Sequence, residues 1–287
     1  MSNAKMLIPF QLHRRLPFVR RPFWQRDQAI AERNAAVAER DAVLAQRGGS
    51  MGFAALMADS TGMSDLAQRI FAEVRPYTMV PFEGIACAIR LAIETIDAGK
   101  PGDLVECGTW LGGSSFAMLL AQRYTYGQIV RPVWMFDSFE GLPPAGDRDG
   151  PGARQYQLDT DGPWYFDNCR APIEQVREAV AKFGFRSNEA IIVPGWFHET
   201  IPTVKDEIRR KGIAVLRLDC DWYEPVKYVF EQLAEFVANG APIIIDDYYA
   251  WDGCARATHE FLAKNDYSWR IRSIDHFNGA WMIKELG

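Results

Sequence analysis

The sequence predicts an α/β protein: a doubly wound, mostly parallel seven-stranded sheet with an antiparallel C-terminal hairpin and an N-terminal helical extension. From about Ser64 onwards, short apolar runs alternate with stretches of helical periodicity. The runs are continuous and not alternating, as strands buried on both faces require. The last two flank Asn278-Gly279, a strong hairpin turn signal.

The extension comes first. Between Gln28 and Arg47, AERNAAV is followed by AERDAVL, so Ile30, Val37 and Leu44 recur every seven residues and predict a helix. An isolated helix of this length is marginal in water, so it is expected to pack, either as a short dimerising coiled coil or as a solvated linker. Gly48-Gly49-Ser50 ends it. The expected division is therefore residues 1–50, a basic segment with the heptad-like helix, and 51–287, the catalytic body. Met1-Ser2-Asn3-Ala4 reads as an expression remnant and carries no weight in the fold.

In the body, Ile85, Ala88, Ile89, Ala92 and Ile96 mark a helix over Glu83 to Ala98. Strands are expected at Asp103 to Cys107, Pro132 to Phe136, Ala190 to Val193, Ile213 to Leu218 and Pro242 to Ile245. Helices such as Ser114 to Arg123 and Glu224 to Ala238 separate them. Trp269 to Ile274 and Ala280 to Ile283 form the closing hairpin.

With 287 residues, 48% of them hydrophobic, the chain can bury one large core. The first 50 residues hold nine Lys/Arg against four Asp/Glu, a local +5, so the net charge of −5 leaves −10 on the body. An acidic body argues against nucleic acid as a partner. Cys87, Cys107, Cys169, Cys220 and Cys254 lack zinc-ligand spacing and read as reduced thiols of a cytoplasmic protein. No apolar run approaches the ~20 residues that span a bilayer.

In an open parallel sheet, ligands bind beyond the carboxyl ends of the strands, so the residues ending each run carry the chemistry. The first run ends Glu106-Cys107-Gly108-Thr109-Trp110-Leu111-Gly112-Gly113-Ser114-Ser115. Its glycines admit a ligand close to the backbone, and the following helix presents free N–H groups. The glycine spacing differs from the dinucleotide GxGxxG. Glu106 would repel a pyrophosphate but suits the sulfonium and ammonium of S-adenosylmethionine. The second run ends Phe136-Asp137-Ser138-Phe139, where Asp137 is expected to clamp a ribose. After the third, Gly195-Trp196-Phe197 could wall an adenine, and His198 could serve as a general base.

Leu218-Asp219-Cys220-Asp221 ends one run and Ile245-Asp246-Asp247 another. If these strands are neighbours, Asp219, Asp246 and Asp247 converge. Clustered carboxylates raise one another's pKa unless a cation sits among them, and oxygen-only ligands select a hard cation, Mg²⁺ or Ca²⁺.

LVECGTWLGGSS, FDSFEGLP, GWFHETIP, LRLDCDWYEP and IIIDDY, in this order, resemble the macrocin and mycinamicin O-methyltransferases. The resemblance runs from Tyr77-Thr78-Met79 to the C-terminal hairpin; the heptad helix and the basic run His13 to Arg26 depart from the family pattern. It implies a class I methyltransferase fold, S-adenosylmethionine at the GTWLGG loop and Asp137, and Mg²⁺ on Asp219, Asp246 and Asp247. It further implies a sugar or glycosylated acceptor, a homo-oligomer, and Asp219 assisting deprotonation.

The expected reaction has adjacent sugar hydroxyls on the metal, one proton passing to Asp219 or His198, and in-line attack on the methyl group. Pro143 to Asn168, rich in Gly, Pro and Asp with aromatics Tyr156, Trp164, Tyr165 and Phe166, is expected to be a lid that orders on binding. Two rival readings are a nucleotide-binding oxidoreductase, which needs the missing GxGxxG, and a non-catalytic methyltransferase-fold interaction protein. The acceptor stays open between an antibiotic sugar, a lipid-linked glycan, a capsule polysaccharide and a phenol.

Overall fold

The computed structural model describes residues 51–162 and 165–285. The heptad helix, the basic segment and Trp164 lie outside the described residues. The chain divides into two compact units, Met1–Thr61 and Gly62–Gly287.

Elements follow in the order α1 (Met51–Val74), α2 (Phe82–Asp97), β1 (Asp103–Cys107), α3 (Gly113–Tyr126), β2 (Val133–Asp137), α4 (Gly150–Leu158), α5 (Ile173–Phe183) and β3 (Ala190–Pro194). Then come α6 (Phe197–Lys211), β4 (Ile213–Leu218), α7 (Tyr223–Leu233), β5 (Pro242–Ile245), α8 (Asp252–Lys264), β6 (Arg272–Ser273) and β7 (Ala280–Ile283). One sheet runs β3-β2-β1-β4-β5-β7-β6. Its first five strands are parallel, and β7 lies antiparallel between β5 and β6. Among the described residues, no helix is long and apolar enough to cross a membrane.

Apolar cores cover both faces, as the unbroken apolar strands require. On one, Leu104, Met135, Val215 and Ile244 meet α2, α3 and α5; on the other, Val105, Phe136, Leu216 and Ile245 meet α6, α7 and α8. The buried stripe Ile85, Ala88, Ile89 and Ala92 of α2 matches the periodicity that predicted the helix.

Two elements differ from expectation. The strand expected over Trp269 to Ile274 shrinks to Arg272–Ser273, because Trp269 is buried in the core and donates its indole N–H to Glu285 O at 2.8 Å. The tight turn before β7 falls at Ile274 to Phe277, closed by Phe277 N donating to Ile274 O at 3.1 Å, with His276 at φ 59°. Asn278-Gly279 therefore follows the turn and does not form it.

Among the described residues, the segment after β2 carries a helix and several tertiary hydrogen bonds. Gly150–Leu158 is helical, and Asp149, almost fully buried, accepts from Tyr223 N at 2.5 Å and from Gly146 N at 2.7 Å. Gln157 donates to Pro143 O at 2.8 Å and Asn168 Oδ1 at 3.0 Å, while Trp222 Nε1 donates to Pro143 O at 2.9 Å. What composition reads as a loose loop is thus a strap held by side-chain bonds to the backbone, which satisfy groups that no helix or sheet pairs.

The sheet edge depends on one glycine. Gly108, at φ 89°, packs so closely under β4 that a Cβ would stand 1.6 Å from Asp219 O. Gly108→Ala must push the tips of β1 and β4 apart, and should cost at least about 2 kcal/mol or abolish folding. A thermal melt within a degree of wild type would contradict this packing.

Candidate active site

The parallel register puts charge inside the sheet. Glu106 pairs with Arg217, and Arg217 with Ile244, across β1, β4 and β5. Side chains alternate along a strand, so Glu106, Arg217, Asp219 and Asp246 share one face. Ladder bonds continue past the strands, Asp219 N to Cys107 O at 2.8 Å and Asp246 N to Leu218 O at 2.9 Å, and fix both backbones at the edge.

Arg217 is fully buried. Its Nη1 donates to Glu106 Oε1 at 2.6 Å and Asp219 Oδ2 at 2.7 Å, and its Nη2 donates to Asp246 Oδ1. A charged residue inside an apolar strand must be paired, and this was the signal in LRLD that the strand-tip reading passed over. Glu106 also accepts from Ser115 Oγ. Burial pushes its carboxyl up to about 7 despite Arg217. At 1% exposure it bonds to Arg217 and Ser115.

The tips of β4 and β5 bring four aspartates to one edge. Asp219, Asp221 and Asp247 each bring an oxygen within 4.8 Å of the others, whereas Asp246 is turned to Arg217. Asp221 sits at φ 55°, a left-handed conformation that aspartate tolerates, and accepts from Trp251 Nε1 at 3.0 Å. Burial, then the charge of Asp219, raises Asp221 to about 7. Asp247 is pushed well above the usual carboxylate range by burial and then by Asp221, and its buried Oδ2 has no hydrogen-bond partner. An orphaned buried oxygen beside two further carboxylates fits a hard divalent cation.

The remaining predicted residues line the β1 and β2 tips. Asp137 Oδ2 accepts from Thr109 N and Trp110 N, both at 2.7 Å, and Oδ1 accepts from Phe139 N at 2.7 Å. A carboxylate offers about four acceptor sites, so about one is left for a ribose. Gly112, at φ 95°, caps α3, with Ser114 and Ser115 buried in its first turn. Ser138 Oγ donates to Gly141 O at 3.1 Å and shapes the turn after β2. Gly195 N donates to Asp137 O at 2.8 Å, Trp196 is half-buried, and Phe197 packs on the core.

His198 is 68% exposed and lies 3.9 Å from Glu199. It opens α6 after β3, which the strand order sets three strands from β4. Over the acidic edge stand Tyr156 of the strap, Trp222 and Trp251, with ring centroids 5.0 to 6.3 Å apart.

This strand order, with ligand-competent loops at the carboxyl ends of β1, β2, β4 and β5, is the class I methyltransferase fold. Residues 58–283 match the family model described as macrocin-O-methyltransferase (TylF), and the chain belongs to that family. It is an O-methyltransferase, which sets aside the oxidoreductase and scaffold readings.

It is 36% identical over 196 residues to the 8-demethyl-8-(2,3-dimethoxy-alpha-L-rhamnosyl)-tetracenomycin-C 4'-O-methyltransferase of Streptomyces olivaceus, covering 67% of this chain and 70% of that one. It is 32% identical over 189 residues to the mycinamicin III 3''-O-methyltransferase of Micromonospora griseorubida, covering 64% and 69%. Among solved structures, the O-methyltransferase NovP aligns with a TM-score of 0.64 at 30% identity, covering 73% of this chain and 83% of that one.

The strap should depend on its one buried acid. Asp149→Ala leaves two backbone N–H groups unpaired and is expected to cost about 1–3 kcal/mol while exposing Pro143 to Asn168 to protease. Cleavage at the wild-type rate would show that Asp149 does not hold it.

Proposed function

We propose that the protein transfers the methyl group of S-adenosylmethionine to a hydroxyl on the sugar of a glycosylated small molecule. The reaction would use a divalent cation, magnesium first, held by Asp219, Asp221 and Asp247. The observation that carries the metal reading is the convergence of these three carboxylates with Asp247 Oδ2 buried and unpartnered. The sugar reading rests on the relative named for a rhamnosyl tetracenomycin.

S-Adenosylmethionine supplies an electrophilic methyl group. The turn Gly108 to Gly112 and the first turn of α3 would hold it, with Asp137 offering its remaining acceptor site to the ribose and Trp196 a wall for the adenine. A divalent cation at the aspartates supplies the charge that makes a bound hydroxyl acidic near neutral pH.

An alcohol holds its proton far above neutrality, so a base must stand ready. Asp219, one oxygen of which is fixed by Arg217, accepts the hydroxyl proton. Trp251 holds Asp221 in place through Oδ1. The strap would exclude water, and the part-exposed rings of Tyr156 and Trp251, backed by buried Trp222, would offer aromatic faces to a sugar ring. Alignment of nucleophile, methyl and sulfur supplies most of the rate gain.

A cytoplasmic site of action and a homo-oligomer complete the proposal; five free cysteines support the first, and the family resemblance the second. Incubation with S-adenosylmethionine and a panel of rhamnosylated aromatic polyketides and macrolides, read by mass spectrometry, tests the reaction. A single added methyl group is expected, lost with a chelator and restored by Mg²⁺. Asp221→Asn and Asp247→Asn should each lower turnover at least about a hundredfold while cofactor binding persists. Full turnover in chelator would refute the metal role.

A further inference from the structure

Where the strap ends, the backbone turns in the left-handed sense over three successive residues, none of them glycine. Asp167, Asn168 and Cys169 stand at φ 48°, 52° and 58°. Cys169 N donates to Phe166 O at 2.8 Å and Arg170 N to Asp167 O at 3.0 Å, which closes the turn. L-residues enter this region singly, because Cβ crowds the following carbonyl, so three in a row persist only where their surroundings hold them.

Asn168 supplies the hold. Its Nδ2 donates to Leu142 O at 2.7 Å, its Oδ1 accepts from Gln157 Nε2 at 3.0 Å, and its backbone carbonyl accepts from Leu142 N at 2.9 Å. Gly141, at φ 93°, makes room for that carbonyl, since a Cβ there would lie 2.5 Å from it. Both ends of the strap and the helix between them thus meet on one asparagine.

The turn also touches both halves of the candidate site. On the donor side, Trp110 Nε1 donates to Arg170 O at 3.3 Å, and Trp110 N donates to Asp137 Oδ2. On the acceptor side, Cys169 Sγ lies 3.5 Å from Tyr156 OH, and Gln157 follows Tyr156 in α4. Bonded contacts therefore run from Asp137 to the ring that meets Trp222 and Trp251.

Closure of the strap alone does not account for this arrangement. Asp149 and Trp222 already tie it to the start of α7. A turn that needed only a positive φ would be met by glycine, whereas asparagine adds two directed side-chain bonds.

We propose that Asn168 is a positioning residue for methyl transfer, which sets the Tyr156 ring, and with it the acceptor sugar, at a fixed offset from the donor turn. The proposal rests on the methyl-transfer reading given above. Transfer needs its reacting atoms in line, and a displacement of about 1 Å caused far from the chemistry can cost about a hundredfold in rate.

Asn168→Gly tests it, because glycine keeps the left-handed backbone while both side-chain bonds are lost. The assay pairs S-adenosylmethionine with a rhamnosylated aromatic polyketide. For that acceptor, kcat/KM is expected to fall at least about tenfold with a raised KM, while the KM for S-adenosylmethionine holds. A wild-type kcat/KM would overturn the proposal, and so would a fall in kcat with both KM values unchanged, the mark of a smaller folded fraction. Should Asn168→Gly fail to fold, Gln157→Leu, which removes the partner of Asn168 Oδ1, is read in the same way.

If wild type leaves that acceptor unmethylated, the acceptor reading fails separately, and hydrogen exchange decides for Asn168. Amides of Gly150–Leu158 should then exchange at least about tenfold faster in Asn168→Gly, with those of Tyr223–Leu233 unchanged. Equal rates in the strap helix, or faster exchange in both helices, would overturn the proposal.

Discussion

Five carboxylates crowd the tips of β1, β4 and β5, and one buried arginine stands among them. Glu106, Asp219 and Asp246 bond to Arg217, while Asp221 and Asp247 do not share it. Removing an ion from water costs several kcal/mol, so such a group persists only where each charge finds a partner or loses its proton. Arg217 satisfies the inner part of the cluster. The outer part, with raised carboxyls and an orphaned Asp247 oxygen, is left for a ligand.

The fold delivers this arrangement through register. Period-two alternation in neighbouring parallel strands stacks Glu106 beside Arg217 and carries the same face up to Asp219 and Asp246. Gly108 lets the β1 turn lie directly against Asp219, and Asp137 ties that turn to β2 through two backbone N–H groups. The donor turn and the acidic edge are therefore one rigid unit. Asp149 and Gln157 then hold the strap beside it, so Tyr156 meets Trp222 and Trp251.

Much of this was legible in the sequence. Continuous apolar runs located the parallel strands within a residue, because burial on both faces leaves a strong signal. The acidic tips of β4 and β5 were visible because ligands gather at carboxyl edges. Side-chain direction was not visible: nothing in IIIDDY says that Asp246 turns inward and Asp247 does not. Asp221 joins the cluster through a left-handed backbone that spacing does not reveal. His198 follows β3, as its place after the third run predicts, and strand order sets β3 three strands from β4. The strap misled for another reason, since its order comes from long-range bonds such as Trp222 Nε1 to Pro143 O, which composition cannot record.

The central claim is that Asp219, Asp221 and Asp247 together hold one divalent cation at the sheet edge. Anomalous diffraction from crystals soaked in Mn²⁺ tests it most directly. The account predicts a single peak within bonding distance of those three carboxylates, with Asp246 still on Arg217. A peak ligated by Asp246, or none at the edge of a fully ordered site, would contradict it.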